Sequence, residues 1–303
     1  VAEDVTVLDS DRPTGSVLGY DIGGTKVRAA LAAPDGTVLA ERVVPSERPG
    51  ARLIDQVGRL AGELRATAGN PPGPVCAALG LPGTPDPGTG RVSRCPAFPD
   101  LADVDARAAF ATALGCPVVL HNDVNLAAVA EAVAGGHPTG TVAVLALGTG
   151  IGLGTVVDGR ILVGDDAAAG EIADLPVTRA GRTVPLESVA SIAGLTAAYR
   201  SAGGPDTATV PDIVAGTDPA AVTALDTYCD AVAHGIAAAV AVTDPGVLVL
   251  TGGIGAAPGI AARVSARLRE LGPWRLPIRT SVFATRAPLV GALHVAGEQR
   301  RTE

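Results

Sequence analysis

The chain has 303 residues, of which 47% are hydrophobic, 18% charged and 2% aromatic. That length and apolar fraction exclude a mainly disordered chain and predict two domains, or two lobes of one chain. A formal net charge of −8 argues against nucleic acid and anionic membrane as main partners, because both carry negative charge.

The first 16 residues carry Glu3, Asp4, Asp9 and Asp11 with no basic-then-apolar run, so a mobile tail is expected and not a signal peptide. A strand at 17–20 ends at Asp21. Strands follow at 27–33 and 37–44, with Pro34-Asp35-Gly36 as the hairpin turn. Leu53, Val57, Leu60 and Leu64 recur at helical spacing, which predicts a helix over 51–67. Residues 75–81 form a buried strand, 82–90 a Pro/Gly-rich loop, 104–114 a helix, 118–120 a strand and 124–134 an apolar helix closed by Gly135-Gly136. The pattern then restarts: strand 141–147, a glycine loop over 148–154, strand 155–157 and a turn at Asp158-Gly159. The uncharged stretch 138–157 approaches the length of a membrane span, but its glycines predict two strands and a turn instead. Helices are expected at 187–200 and 219–243, a strand at 247–250, a turn at Gly252-Gly253, and helices at 256–271 and 288–299. Each half therefore opens on a glycine-bearing hairpin and continues as α/β alternation. Two α/β lobes with a ligand cleft between them are the expected product.

Several segments carry chemistry. In Asp21-Ile22-Gly23-Gly24-Thr25-Lys26 a strand ends in a carboxylate, two glycines and a hydroxyl. Such a turn lets backbone approach phosphate, and Asp21 can hold Mg²⁺ through water; an ordinary Gly-Gly turn has the same residues. Lys26 is the only lysine among the 23 cationic residues. Gly148-Thr149-Gly150 opens a second glycine turn followed by a strand, which fits a phosphate-contacting hairpin and not a dinucleotide fingerprint. Asn122 and Asp123 stand between a strand and a helix, where Asp123 can act as general base and Asn122 can orient a substrate. Helix capping is the competing use. Glu171, Asp174 and Glu187 can bind sugar hydroxyls or stand as solvated carboxylates. Thr251-Gly252-Gly253 can admit adenine or ribose to the backbone, or simply lead into a helix. The cysteines at 76, 95, 116 and 229 have spacings of neither a disulfide framework nor a zinc cluster, and read as reduced thiols of a cytoplasmic protein.

Taken together, these segments resemble the ROK family of sugar kinases, within the hexokinase/actin-like ATPase superfamily. The resemblance runs from about residue 17 over nearly the whole chain. DIGGTK at 21–26 and LALGTGIGLG at 145–154 are similar to the two phosphate loops, and implicate Gly23, Gly24, Thr25, Lys26, Gly148, Thr149 and Gly150 in ATP binding. GLPG at 80–83, with Gly83, is similar to the sugar loop, and HNDVNLAA at 121–128 carries the Asn-Asp pair whose Asp is the family's catalytic base. AGEI at 169–172 and LES at 186–188 supply sugar-binding Glu171 and Glu187, and DPGVLVLTGGI at 244–254 resembles the adenosine motif, with Gly252 and Gly253.

The resemblance implies an α/β, two-lobed, ribonuclease H-like fold, with one lobe from 1–121 and 288–303 and the other from 122–287. It implies ATP and Mg²⁺ and the phosphorylation of a hexose or aminohexose at O6, with Asp123 as base; homodimers are common in the family. Two departures stand out. The family's E-x-G-H reads Glu171-Ile172-Ala173-Asp174, and the cysteines of its structural zinc cluster are missing, so no zinc is expected. Its sugar-loop Asn is Ala97. Asp174 adds a negative charge that would favour a cationic amino sugar such as glucosamine or kanosamine, unless it only caps a turn. Alternatives are a polyphosphate donor and a catalytically inactive sugar-binding or regulatory protein. The short segment before the first strand is too small for the helix-turn-helix module of the family's transcription regulators.

Overall fold

The computed structural model describes residues 15–137, 140–179 and 181–299. The chain divides into two compact units: unit 1 runs to Asp123 and resumes at Ala292, and unit 2 spans Val124–Gly291. The divisions fall at 123 and 291, a few residues beyond those expected at 121 and 287.

Unit 1 contains β1 (Val17–Ile22), β2 (Lys26–Ala32), β3 (Val38–Pro45), α1 (Gly50–Thr67), β4 (Cys76–Leu81), β5 (Thr84–Pro85), β6 (Val92–Ser93), α2 (Ala106–Leu114) and β7 (Val118–Asn122). Its main sheet has the order β3-β2-β1-β4-β7. β2 runs antiparallel to both β1 and β3, while β1, β4 and β7 are parallel. Leu53, Val57, Leu60 and Leu64 form the buried face of α1, as their spacing requires. Phe98, Leu101 and Phe110 complete this core.

Unit 2 contains α3 (Asp123–Val133, whose first residue belongs to unit 1), β8 (Thr141–Leu147), β9 (Ile151–Val157), β10 (Arg160–Ile161), β11 (Pro176–Arg179), β12 (Arg182–Pro185), α4 (Glu187–Ala190), α5 (Ile192–Ser201), α6 (Val210–Ala215), α7 (Pro219–Thr243), β13 (Val247–Thr251), α8 (Gly252–Gly255), α9 (Ile260–Leu271), β14 (Ile278–Thr280) and the start of α10 (Ala287–Gln299). Its sheet has the order β10-β9-β8-β13-β14. β9 is antiparallel to β8, and β13 and β14 are parallel to it. The two sheets thus share one pattern, an antiparallel meander extended by parallel strands, as the restart of the sequence pattern suggests.

Several elements differ from expectation. Gly15 and Ser16 are not part of a loose tail: both are buried, and the Ser16 hydroxyl donates to the Pro72 carbonyl at 3.1 Å. The rest of that expected tail lies outside the described residues. The 148–154 loop shrinks to 148–150, because Gly152 and Gly154 lie in β9. The helix expected over 187–200 breaks at Ser191, whose extended backbone and hydroxyl cap α5 by accepting from Gly194 N. The helix expected at 256 starts at Ile260, after Pro258 and a left-handed Gly259. The short strands β11, β12 and β14 and the helix α6 had no clear pattern; β11, β12 and β14 are partly or fully exposed and lack strong apolar alternation. α7 is long and apolar enough to cross a membrane by length and composition, yet Leu225, Tyr228, Val232 and Ile236 are fully buried in the core of unit 2.

Candidate functional site

In unit 1 the parallel strands β1, β4 and β7 end together. Asp21 pairs in register with Gly80, and Gly80 with His121. Their carboxyl ends bring Asp21, the 80–83 loop and Asn122-Asp123 to one sheet edge, where open α/β sheets place ligands. The Asn122 amide donates to the Gly83 carbonyl at 3.0 Å, so one residue of the Asn-Asp pair anchors the expected sugar loop. Gly83 is required there: a Cβ would lie 2.8 Å from both the Ser93 carbonyl oxygen and Cys95 Cβ. Asp123 opens α3 and is half-buried; burial raises the Cys95 thiol pKa, and the nearby Asp123 charge adds to that rise.

Asp21 is partly buried, and Arg28, its cross-strand neighbour on β2, stands 3.8 Å away. Burial pushes the Asp21 carboxyl up to about 6, against the pull of Arg28 and Lys26, so it is charged at neutral pH. One such carboxylate suits magnesium, which takes its remaining ligands from phosphate and water. Among the described residues no three His, Cys, Asp or Glu side chains are grouped to hold a metal by themselves.

The 23–26 turn closes through Gly23 N donating to the Lys26 carbonyl at 2.9 Å, and Thr25 and Lys26 are exposed on it. Two residues that motif reading missed brace this turn. The Ser46 hydroxyl donates to the Gly23 carbonyl at 2.7 Å, and Arg48 donates to the Gly24 carbonyl. The Arg48 guanidinium also lies 5.8 Å from the centre of the Phe98 ring. Ala97 sits against Gly24, whose Cβ would be 3.2 Å from that of Ala97. Arg48 therefore links the 23–26 turn to the Pro96–Pro99 segment. Nothing in the run Ser46-Glu47-Arg48 marks it as functional; only the fold places it there.

In unit 2 the ends of β8 and β13 converge, with Thr251 paired to Ala146. The Gly148–Gly150 turn therefore lies beside Gly252-Gly253. Gly252 is left-handed at φ +84°, and a Cβ there would meet the Leu147 carbonyl oxygen at 2.4 Å. The pair forms the one-turn helix α8, not an open turn. Glu187 opens α4 and accepts from Ile151 N at 3.2 Å, and Ile192 N donates to the Gly148 carbonyl at 2.8 Å. Thr149 is exposed at the tip of the turn. Glu171 and Asp174 bound one 3-10 turn, Glu171 half-buried and Asp174 exposed. Leu186 N donates to the Leu175 carbonyl at 2.9 Å, which ties that turn to α4. Unit 2 thus gathers Gly148, Thr149, Gly150, Gly252, Gly253 and Glu187 closely, with Glu171 and Asp174 one link away. The segment where the family's zinc cysteines would lie is the β11–β12 hairpin.

The sequence model of the ROK family matches residues 17–299. An N-acetylmannosamine kinase from Citrobacter koseri is 30% identical over 301 residues, covering 93% of this chain and 98% of that protein. A glucokinase from Thermotoga maritima is 28% identical over 265 residues, covering 80% of this chain and 83% of that protein. The crystal structure of a ROK hexokinase from Thermus thermophilus is similar at a TM-score of 0.81 and 28% identity, covering 95% of this chain and 100% of that one. With the paired sheets, this likeness establishes the α/β fold of the actin-like ATPases for this protein. A match spanning nearly every described residue means that the chain belongs to the ROK family.

Proposed function

We propose that this ROK-family sugar kinase transfers the γ-phosphoryl group of ATP to the 6-hydroxyl of a hexose or aminohexose. The reading is carried by the sheet edge of unit 1, where Asp21, Gly83, Asn122 and Asp123 stand together at the ends of three parallel strands. Asp123 accepts the hydroxyl proton while the sugar oxygen bonds to the γ-phosphorus and the bond to the β–γ bridging oxygen breaks. Asn122 and Gly83 hold the acceptor loop, and Glu171 and Glu187 accept from sugar hydroxyls. Gly23, Gly24, Thr25 and Lys26 receive one part of the triphosphate, Gly148, Thr149 and Gly150 another, and Gly252-Gly253 the adenosine. Asp21 would hold magnesium through water, and that ion would offset charge on the transferred group. Most of the rate enhancement then comes from positioning and charge stabilisation.

The test is ADP release with Mg-ATP over glucose, glucosamine, kanosamine, mannose, fructose and their N-acetyl relatives, beside Asp123→Asn. Turnover is expected to fall by about a hundredfold or more in that variant with an unchanged far-UV circular dichroism spectrum. Wild-type rates would remove Asp123 from the mechanism. Asp174 favours an amino sugar, because an exposed carboxylate one turn from Glu171 attracts an ammonium. Asp174→Asn should then lower the ratio of amino-sugar to glucose turnover; an unchanged ratio leaves Asp174 a structural residue.

A further inference from the structure

Unit 2 has a cavity of about 400 Å³ between the β11–β12 hairpin and one face of α5. Arg179, Arg182 and Thr183 line it from the hairpin, Ser188 from α4, and Ala197 and Ser201 from α5. Arg179 and Arg182 are directly opposite in the antiparallel pair, so their side chains leave the same face of the ribbon. Like charges placed opposite one another repel. Neither guanidinium has a hydrogen-bond or ion-pair partner among the described residues. Yet the chain carries 31 acidic residues against 23 basic ones, so carboxylates that might have paired with these arginines are plentiful. The pair is left without an internal complement at the wall of a cavity.

We infer that this cavity binds a small phosphomonoester, with Arg179 and Arg182 gripping the phosphate. Two guanidinium forks offer more donors than the two oxygens of a carboxylate can accept, whereas a phosphate presents three terminal oxygens and up to two charges. The volume is that of a small-ligand pocket, with room beyond the phosphate for a body of hexose size. The Ser188 hydroxyl already donates to the Pro185 carbonyl at 2.6 Å, which leaves its lone pairs to accept from a ligand hydroxyl. Ser201 adds a hydroxyl, and Ala197 adds an apolar wall. The chemistry is that of a phosphorylated sugar, but it takes nothing from the kinase reading, since none of the residues lining the cavity is assigned to ATP or sugar binding.

The experiment is calorimetric titration of nucleotide-free protein with glucose 6-phosphate, inorganic phosphate and glucose. Glucose 6-phosphate is expected to bind, to weaken as salt rises, and to lose at least tenfold in affinity in Arg179→Gln/Arg182→Gln. Glucose affinity and kinase turnover should stay within about twofold of wild type in that variant. Equal losses for inorganic phosphate would show that the phosphate alone is read; a larger loss for the sugar phosphate would show that the hydroxyls contribute. Arg179→Lys/Arg182→Lys keeps the charge without the planar fork and should lie between the two. Removing the repulsion should leave the Gln variant folded at least as stably as wild type, which its melting curve checks. An affinity unchanged in the Gln variant would assign the binding to the phosphate turns and overturn the proposal. So would the absence of wild-type binding up to about 10 mM ligand. No turnover enters the binding readout, so failure of the kinase reading would not be mistaken for failure of this one.

Discussion

Arg48 illustrates how much a single exposed side chain can organise. It offers one donor to the Gly24 carbonyl and lays its plane near Phe98, so it holds together two segments far apart in sequence. An exposed cation–π contact and one hydrogen bond to a charged donor together contribute about 1–2 kcal/mol. Arg48→Ala is therefore expected to raise the KM for ATP by about three- to tenfold, with a smaller change in kcat and little change in melting temperature. Steady-state kinetics with varied ATP check this. Arg48→Lys should restore only part of the effect, because lysine keeps the charge and loses the plane. Unchanged KM in the Ala variant would confine Arg48 to the surface.

Among the elements, the β8–β9 hairpin and α3 were the clearest disagreement between pattern and fold. The run of alternating glycines looked like one long phosphate loop. Only its first part turns; Gly152 and Gly154 belong to β9 because α3 passes directly over the strand. A Cβ at Gly154 would stand 2.4 Å from the Val124 carbonyl oxygen and 3.1 Å from Ala128 Cβ. The contact is with backbone at the start of the helix that Asp123 opens, so no rotamer change relieves it. Gly154→Ala should destabilise unit 2 by about 2–3 kcal/mol, as overpacking does, and urea unfolding followed by Trp274 fluorescence would measure it. Because α3 carries Asp123, turnover should fall more than stability alone explains. A neutral Gly154→Ala would mean that the helix moves aside freely.

For the molecule as a whole, part of the pH dependence of stability follows from one half-buried group on β7. Burial pushes the His121 imidazolium down to about 4 from the usual 6.5, so the folded state holds the ring neutral while the unfolded chain protonates it. A lowered folded pKa contributes stability that is fully present above 6.5 and is lost as pH falls through 4. The loss is on the order of 3 kcal/mol. Asp21 works in the opposite sense, since its raised pKa penalises the charged folded form as pH rises from 3.8 through about 6. The difference between wild type and His121→Asn isolates the histidine: wild type should lose stability relative to the variant between pH 6.5 and 4, in magnesium-free buffer. Parallel urea-midpoint curves for the two would exclude that origin.

Local geometry was legible because it depends on near neighbours in the chain. The period of Leu53, Val57, Leu60 and Leu64 specified a helix face, and the glycine turns and repeated hairpins specified two α/β halves. The motifs at 21–26, 80–83, 121–128 and 145–154 supply the proposal of phosphate and sugar chemistry at those segments. Contacts between distant segments decided the rest. Which glycines turn and which pack under α3, that Arg28 faces Asp21, that Ser46 and Arg48 brace the 23–26 turn, and that Arg179 and Arg182 line one cavity all depend on strand register and helix crossing. Those are set by burying two whole cores, a sum over many residues that no short stretch of sequence carries.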